Sequence, residues 1–194
     1  MGGVKLPILF SCNTKVVGLR KGAVELKQPN RRISIGYDGS NGIAAFRNTK
    51  IIIGNNGKIV FGGSAFIGSG STIRVDSGVC TFGDRFSCNT NCFISCTEKV
   101  TFGEGCLLGW NVNIRDSDGH SIISEGKRKS ALKPVDIGNN IWIAANADVL
   151  KGVKIADGCV VGYRSCVTKS ITEENCLIGG YPAKIIRNNI AWER

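Results

Sequence analysis

The sequence predicts an all-β fold, a parallel β-helix built from short repeats. Three observations carry this expectation. An aliphatic residue returns at every sixth position, the 194-residue chain holds 26 glycines but only 4 prolines, and the frame stops for about twenty residues around the single histidine, His120.

The period is clearest from residue 135, where the chain divides into VDIGNN, IWIAAN, ADVLKG, VKIADG, CVVGYR and SCVTKS. The third place is Ile137, Ile143, Val149, Ile155, Val161 and Val167, aliphatic throughout. The first place, Val135, Ile141, Ala147, Val153, Cys159 and Ser165, is small or branched, and Gly or Ala follows the aliphatic in four of the six units. A strict six-residue period drifts around a 3.6-residue helical turn, so no helix presents these side chains on one face. One aliphatic per unit buries nothing alone. Such units must stack, each a short strand and a turn, three to a triangular coil, with the aliphatics piled into internal ladders.

The frame recurs upstream in IIIGNN (51–56), IVFGGS (59–64), AFIGSG (65–70), CTFGDR (80–85), VTFGEG (100–105), CLLGWN (106–111) and VNIRDS (112–117). Two residues intrude at 57–58 and two more within 94–99, as expected where a coil turns a corner. One domain is expected for residues 1–194. It divides into a lead-in (1–30), a β-helix over roughly 31–180 with an excursion loop (115–134), and a C-terminal cap (181–194). The repeat ends at Pro182, and Ile185, Ile186 and Ile190 are expected to cover the open end, whose strand edges are otherwise unpaired.

The formal charge of +10 is uneven. Residues 1–50 carry Lys5, Lys15, Arg20, Lys21, Lys27, Arg31, Arg32, Arg47 and Lys50 against Glu25 and Asp38, and KRKSALK forms a second cluster at 127–133. Such patches suit an anionic partner. Aromatic residues are not interleaved with them and no nucleic-acid fold motif appears, so nucleic acid is not expected. No stretch of about 18 uncharged apolar residues is present to span a membrane. LPILF is too short for the apolar region of a secretory signal.

Nine cysteines, an odd number without such a signal, point to a reduced, cytoplasmic chain. Cys88, Cys92 and Cys96 recur every fourth residue. A zinc site calls for a second pair or for histidines that this chain lacks, so no metal is expected and these cysteines are read as small core residues.

The repeat resembles the hexapeptide transferase family. The stretch IGNNIWIAANADVLKGVKIADGCVVGYRSCVTKSITEENCLIGGYPAKIIR (137–187) is especially similar to sugar O-acetyltransferases of the galactoside, maltose and capsular-polysaccharide type. The resemblance implies a left-handed parallel β-helix, where the usual rule for parallel crossovers would give the right-handed form. It also implies acetyl-CoA as cosubstrate, a sugar or polysaccharide acceptor, and a homotrimer with sites between subunits.

DGHS resembles the family's GH segment, in which the histidine is the general base; here that is His120. An imidazole, with an ordinary pKa of about 6.5, suits proton removal from a hydroxyl near neutral pH. An excursion of about twenty residues inside a compact repeat is itself a functional signal. Asp116 and Asp118 are candidates to hold the imidazole tautomer, and Asp118 is equally a turn-former ahead of Gly119. Asn89, fourteen residues before Gly103, falls where galactoside-type enzymes contact the acceptor sugar. Its alternative is a corner residue in left-handed geometry, and Asn91 of NTN competes for the place.

The resemblance puts the Ala145 backbone N–H in the oxyanion-binding role. Many relatives carry WIG followed by serine, whereas this chain has Ala144 and Ala145; a backbone donor survives that change and a hydroxyl contact does not. Trp142 is expected in the core or at a coil edge. Gly162 and Thr168 would meet the pantetheine arm of CoA, while Lys169, Lys184 and Arg187 would face its phosphates. Tyr163 stands where several relatives have a small residue, and its ring would stack on the adenine or narrow the groove.

The function expected is a cytoplasmic, acetyl-CoA-dependent O-acetyltransferase. His120 takes the proton from a sugar hydroxyl while that oxygen attacks the thioester directly, with no acyl-enzyme. SDGHS resembles exopolysaccharide and lipopolysaccharide enzymes, which implies a surface-polysaccharide acceptor. The basic N-terminal region suits an anionic membrane that carries a lipid-linked glycan. Two alternatives stand beside this one: an amino-sugar N-acetyltransferase with the same fold and base, and a catalytically silent β-helix scaffold.

Overall fold

A computed structural model of the chain describes residues 7–38 and 48–194. Leu6 of LPILF, and Lys5 and Arg47 of the basic cluster, lie outside the described residues. Every regular element among the described residues is a strand, and the strands of the coil fall on three faces. The first face stacks Ile8–Phe10, Ile33–Tyr37, Ala65–Gly68, Phe86–Cys88, Leu107–Leu108, Trp142–Ile143, Val160–Val161 and Leu177–Gly180, all in parallel. The second stacks Thr14–Val17, the first halves of Thr49–Phe61 and Thr72–Phe82, then Phe93–Cys96, Asn113–Arg115, Asp148–Val149 and Cys166–Val167. The third stacks Val24–Leu26, the second halves of the same two long strands, then Lys99–Phe102, Val135–Ile137 and Lys154–Ile155. A chain visiting the three faces in turn, always rising, is a parallel β-helix.

The interior is the set of ladders that the period predicts. Ile67, Cys88, Leu108, Ile143, Val161 and Ile178 pair in register up the first face and are all buried. Each such aliphatic contributes roughly 1.5–3 kcal/mol by leaving water. On the third face Phe61, Phe82 and Phe102 stack at centroid separations of 5.3 and 5.4 Å, and Ile137 and Ile155 continue the ladder above them. Eight of the nine cysteines are buried and free, and Cys12 alone is exposed, so the cysteines serve as small core residues.

Four local expectations need revision. The frame of IIIGNN is offset: Ile51, not Ile53, pairs with the ladder of Ile73, Ile94, Ile114, Val149 and Val167. Ile53, Val75 and Cys96 are additional inward residues in a wide corner between the second and third faces. The lead-in, 1–30, already supplies one strand to each face from Ile8 onward. The excursion carries a β-hairpin, Ile122–Ser124 against Lys127–Lys129, turned by Glu125 (φ 52°) and Gly126 (φ 71°). Positive φ at both central residues is the tight hairpin turn whose twist matches its strands.

The C-terminal segment is only partly a cap. Ala183–Arg187 doubles back antiparallel on Leu177–Gly180 and covers the end of the first face. The last residues then run down the side of the prism. Ile190 N–H donates to Asn175 O (2.9 Å), Trp192 Nε1–H to Asn140 O (2.7 Å), and Arg194 to Arg85 O (2.8 Å) and the Ser87 hydroxyl. Trp142, expected in the core or at an edge, points outward (39% exposed) and meets Trp192 at 6.1 Å.

Candidate active site

Two edges of the prism, on either side of the second face, carry the expected site residues. The first edge follows the strands of the first face. There each coil hands a hydrogen bond to the next: Asn89 N–H to Leu108 O (2.9 Å), Gly109 N–H to Ile143 O (2.7 Å), Ala144 N–H to Val161 O (2.8 Å) and Gly162 N–H to Ile178 O (2.7 Å). Asn89, Gly109, Ala144 and Gly162 are thus stacked in line. Position 109 needs glycine, because a Cβ there would sit 2.6 Å from the Ala145 nitrogen.

One step further round the corner stand Trp110, Ala145 and Tyr163. Ala145 O accepts from Arg164 N–H (3.1 Å), while its own N–H is not taken up by the ladder that pairs Ala144. The corner itself is turned by Asn91 (φ 61°), Asn111 (φ 56°), Asn146 (φ 59°) and Arg164 (φ 55°). Asn91, not Asn89, is therefore the left-handed corner residue, which leaves Asn89 one residue past the end of the strand Phe86–Cys88. Tyr163 is 60% exposed, and the Arg164 guanidinium lies 5.4 Å over its ring, so one face of that ring is already occupied. Lys184 pairs with Gly179 directly above Gly162, so its backbone closes the top of this edge. Arg187 pairs with Leu177 at the far side of the first face, away from the other cofactor candidates.

The second edge lies beyond Ile114 and Val167. Thr168 and Lys169 are exposed there, two coils above the root of the excursion. The excursion leaves the coil at Arg115 with its two limbs bridged, Ser117 opposite Leu132, and Asp118 N–H donating to Ala131 O at 3.0 Å. His120, two residues beyond Asp118 of this neck, is exposed.

Neither carboxylate proposed to orient His120 is engaged with it. Asp116 is wholly buried (0% exposed) and folded back into the coil below. Its two oxygens accept from the N–H groups of Thr97 (2.9 and 3.0 Å), Glu98 (2.7 Å) and Lys99 (2.8 Å). It closes the wide corner where the hexad frame slips. Asp118 is bound by Lys151, Nζ to Oδ2 2.6 Å, because the excursion's limb passes directly beneath the coil that carries Lys151. Within one chain, then, Asn89, Ala145, Gly162, Tyr163 and the Lys184 backbone share one edge. His120, Asp118, Thr168 and Lys169 share the next.

A groove of about 640 Å³ opens on the second face beneath the neck, lined by Arg74, Phe93, Ser95, Arg115, Ser117 and Asp118 among others. Arg74, Ser95 and Arg115 lie side by side on three adjacent strands. Of these lining residues the sequence singled out only Asp118, by its nearness to His120. Outward residues of a strand carry no periodic signal that separates a binding surface from plain solvent exposure. Burial pushes the thiols of Cys96 and Cys106 each up to about 12, which keeps these two from reacting as thiolates. Among the described residues no group of three His, Cys, Asp or Glu side chains is placed to hold a metal.

No family model matches the sequence. The chain is 35% identical over 164 residues to the polysialic acid O-acetyltransferase of Neisseria meningitidis, an alignment that covers 76% of each protein. It is 36% identical over 132 residues to a protein of Escherichia coli strain K12 that is provisionally named a lipopolysaccharide biosynthesis O-acetyl transferase, covering 61% of this chain and 67% of that one. The crystal structure of the polysialic acid O-acetyltransferase OatWY superposes with a TM-score of 0.53 at 29% identity, over 96% of this chain and 90% of that one. The fold shared with such neighbours is the left-handed parallel β-helix.

Proposed function

The chain belongs to the hexapeptide-repeat acetyltransferases, and on that premise we propose that it transfers an acetyl group from acetyl-CoA to a hydroxyl of a surface-polysaccharide sugar. The observation that carries this reading is the pinned excursion. It carries the chain's one imidazole exposed, on the residue that follows Gly119 in the wall of a polar groove, beside the coils that match sugar O-acetyltransferases. The Neisseria relative is named for polysialic acid and the Escherichia coli one for lipopolysaccharide, which supports a glycan acceptor.

In the mechanism proposed, His120 accepts the proton of the acceptor hydroxyl as that oxygen attacks the thioester carbon. The Ala145 N–H stabilises the oxyanion that develops, and CoA leaves as the thiol when the imidazolium passes its proton to the departing sulfur. A preorganised donor of this kind is worth about 10²–10³ in rate. Acetyl-CoA fits the first edge: small residues leave room for the pantetheine arm, Asn89 faces the acceptor, and Tyr163 flanks the adenine. Lys184 at that edge, and Thr168 and Lys169 at the next, are the polar groups for its phosphates and arm, whereas Arg187 would reach it only by a long extension. His120 and Ala145 lie on different edges of one chain. A homotrimer, in which the excursion of one subunit meets the first edge of its neighbour, is therefore the assembly proposed.

The compartment proposed is the cytoplasm, supported by nine free cysteines. The basic N-terminal coil is proposed to approach an anionic membrane that carries the glycan. If reversing the charges of Arg20, Lys21, Arg31 and Arg32 leaves binding to anionic liposomes unchanged, the membrane part fails.

The experiment that tests the whole reading supplies acetyl-CoA with a panel of sugars and follows CoA release. Product acetyl groups removed by mild alkali establish an ester, and alkali-stable groups would instead make the protein an N-acetyltransferase. No turnover with any acceptor, by a folded trimer that binds CoA, would leave a scaffold.

A further inference from the structure

The groove under the excursion contains four charged side chains, and three of them are neutralised locally or nearby. Arg74 is paired with Asp76 (Nε to Oδ1 2.8 Å, to Oδ2 3.0 Å), and Asp118 is paired with Lys151. The fourth, Arg115, has no carboxylate partner among the described residues. One of its terminal nitrogens donates to Asn113 Oδ1 at 3.2 Å, and its guanidinium lies 5.8 Å over the Phe93 ring. Its Nε–H is shut off from water and makes no hydrogen bond. A cation held in one place, partly desolvated and not neutralised, attracts an anion more strongly than a fully solvated one, because the effective dielectric around it is lower.

The surroundings are those of a sugar site. Phe93 offers an aromatic ring on the outer surface of the sheet, and the hydroxyls of Ser95, Thr97 and Ser117 line the same groove. The floor is stiff, since Arg74, Ser95 and Arg115 sit on strands paired on both sides and the Thr97 backbone is tied down by Asp116. One unmatched positive charge fits one singly charged group, a carboxylate, better than a phosphate monoester with up to two.

From this arrangement we infer that the groove selects an acidic glycan: a sugar ring packs on Phe93 and its carboxylate meets Arg115, which brings a hydroxyl up to His120 at the neck. The inference rests on the proposed acetyltransferase reading for the role of His120, but the anion site itself stands on Arg115 and Phe93. Arg115 is thus a specificity-determining residue, and the excursion's neck is one wall of the acceptor site as well as the carrier of the base.

The test compares two probes, a trimer of sialic acid and the same trimer with its carboxyl groups reduced to alcohols. Binding to the full chain is measured by calorimetry and acetyl transfer by CoA release. The acidic trimer should bind about ten- to a hundredfold more tightly than the reduced one, the range expected for a charge-assisted hydrogen bond. Arg115→Met should abolish that difference while Arg115→Lys retains part of it, with melting temperature read alongside. Should Arg115→Met fail to fold, Phe93→Leu provides the second arm, with both trimers expected to weaken. Equal binding of the two trimers by the unsubstituted protein, no binding of either, or an acidic preference that survives Arg115→Met would each overturn the inference. Transfer to the reduced trimer at an undiminished rate would overturn it too, yet leave the acetyltransferase reading in place. Selective binding of the acidic trimer with no acetyl transfer to any acceptor would do the reverse.

Discussion

Lys151 Nζ lies 2.6 Å from Asp118 Oδ2, and the same ammonium donates to Ser130 O at 2.5 Å. One side chain on the body of the prism therefore grips both limbs of the excursion at its neck. A partly exposed pair of this kind adds only about 0.2–1 kcal/mol to global stability. Its effect falls on where His120 is held.

Lys151→Met should lower kcat/KM about tenfold while moving the melting temperature by no more than a few degrees, since a misplaced base loses rate out of proportion to stability. Activity and melting temperature measured on the same preparation check this. A large fall in melting temperature with unchanged activity in the surviving native protein would count against the clamp.

His120→Ala should reduce kcat by about 10²–10⁴, the usual contribution of a general base, with acetyl-CoA affinity unchanged. Asp118→Asn should leave the pH profile of kcat/KM in place, because its carboxylate is bound to Lys151 and not to the imidazole. A displaced acidic limb in Asp118→Asn would restore Asp118 as the orienting carboxylate.

Asp116→Ala should cost about 3 kcal/mol, because it strands three backbone N–H groups that now donate to one buried carboxylate. Denaturant unfolding at neutral pH measures the loss. Asn at this position should recover only part of it, since an amide offers a single uncharged acceptor oxygen.

In the native protein a thiol reagent at pH 8 should modify Cys12 rapidly and the eight buried cysteines only on unfolding. Cys96 and Cys106 are raised to about 12, mainly by burial. A raised folded value means that the unfolded chain, ionising near 8.5, releases protons first. The stability these two thiols confer is complete below that value and falls as pH climbs toward 12. Cys96→Ala should flatten this alkaline decline, as read from denaturation midpoints at pH 7.5 and pH 10.

The triangular coil was legible in the amino-acid order because its cause is local and repeated. A side chain that must point inward every six residues announces itself wherever it occurs, and stacking identical units then leaves little choice of architecture. For the same reason the break around His120 could be seen as a break. Even the hairpin inside it had a local signature, Glu125-Gly126 between IIS and KRK, that points to a tight turn.

Partners far apart in the chain left no such trace. Asp116 and Asp118 are equivalent as letters near a histidine, yet one is folded under the corner at 97–99 and the other is held by Lys151. IIIGNN holds three isoleucines in a row, and the choice of Ile51 for the ladder depended on its neighbours Ile73 and Ile94 in the coils above. Trp192 and Arg194 look like a ragged end and instead bind Asn140 and Arg85 down the flank. A ladder is specified by the period of the chain, but a charge, a tail or a groove is specified by whatever the folded coils place opposite it.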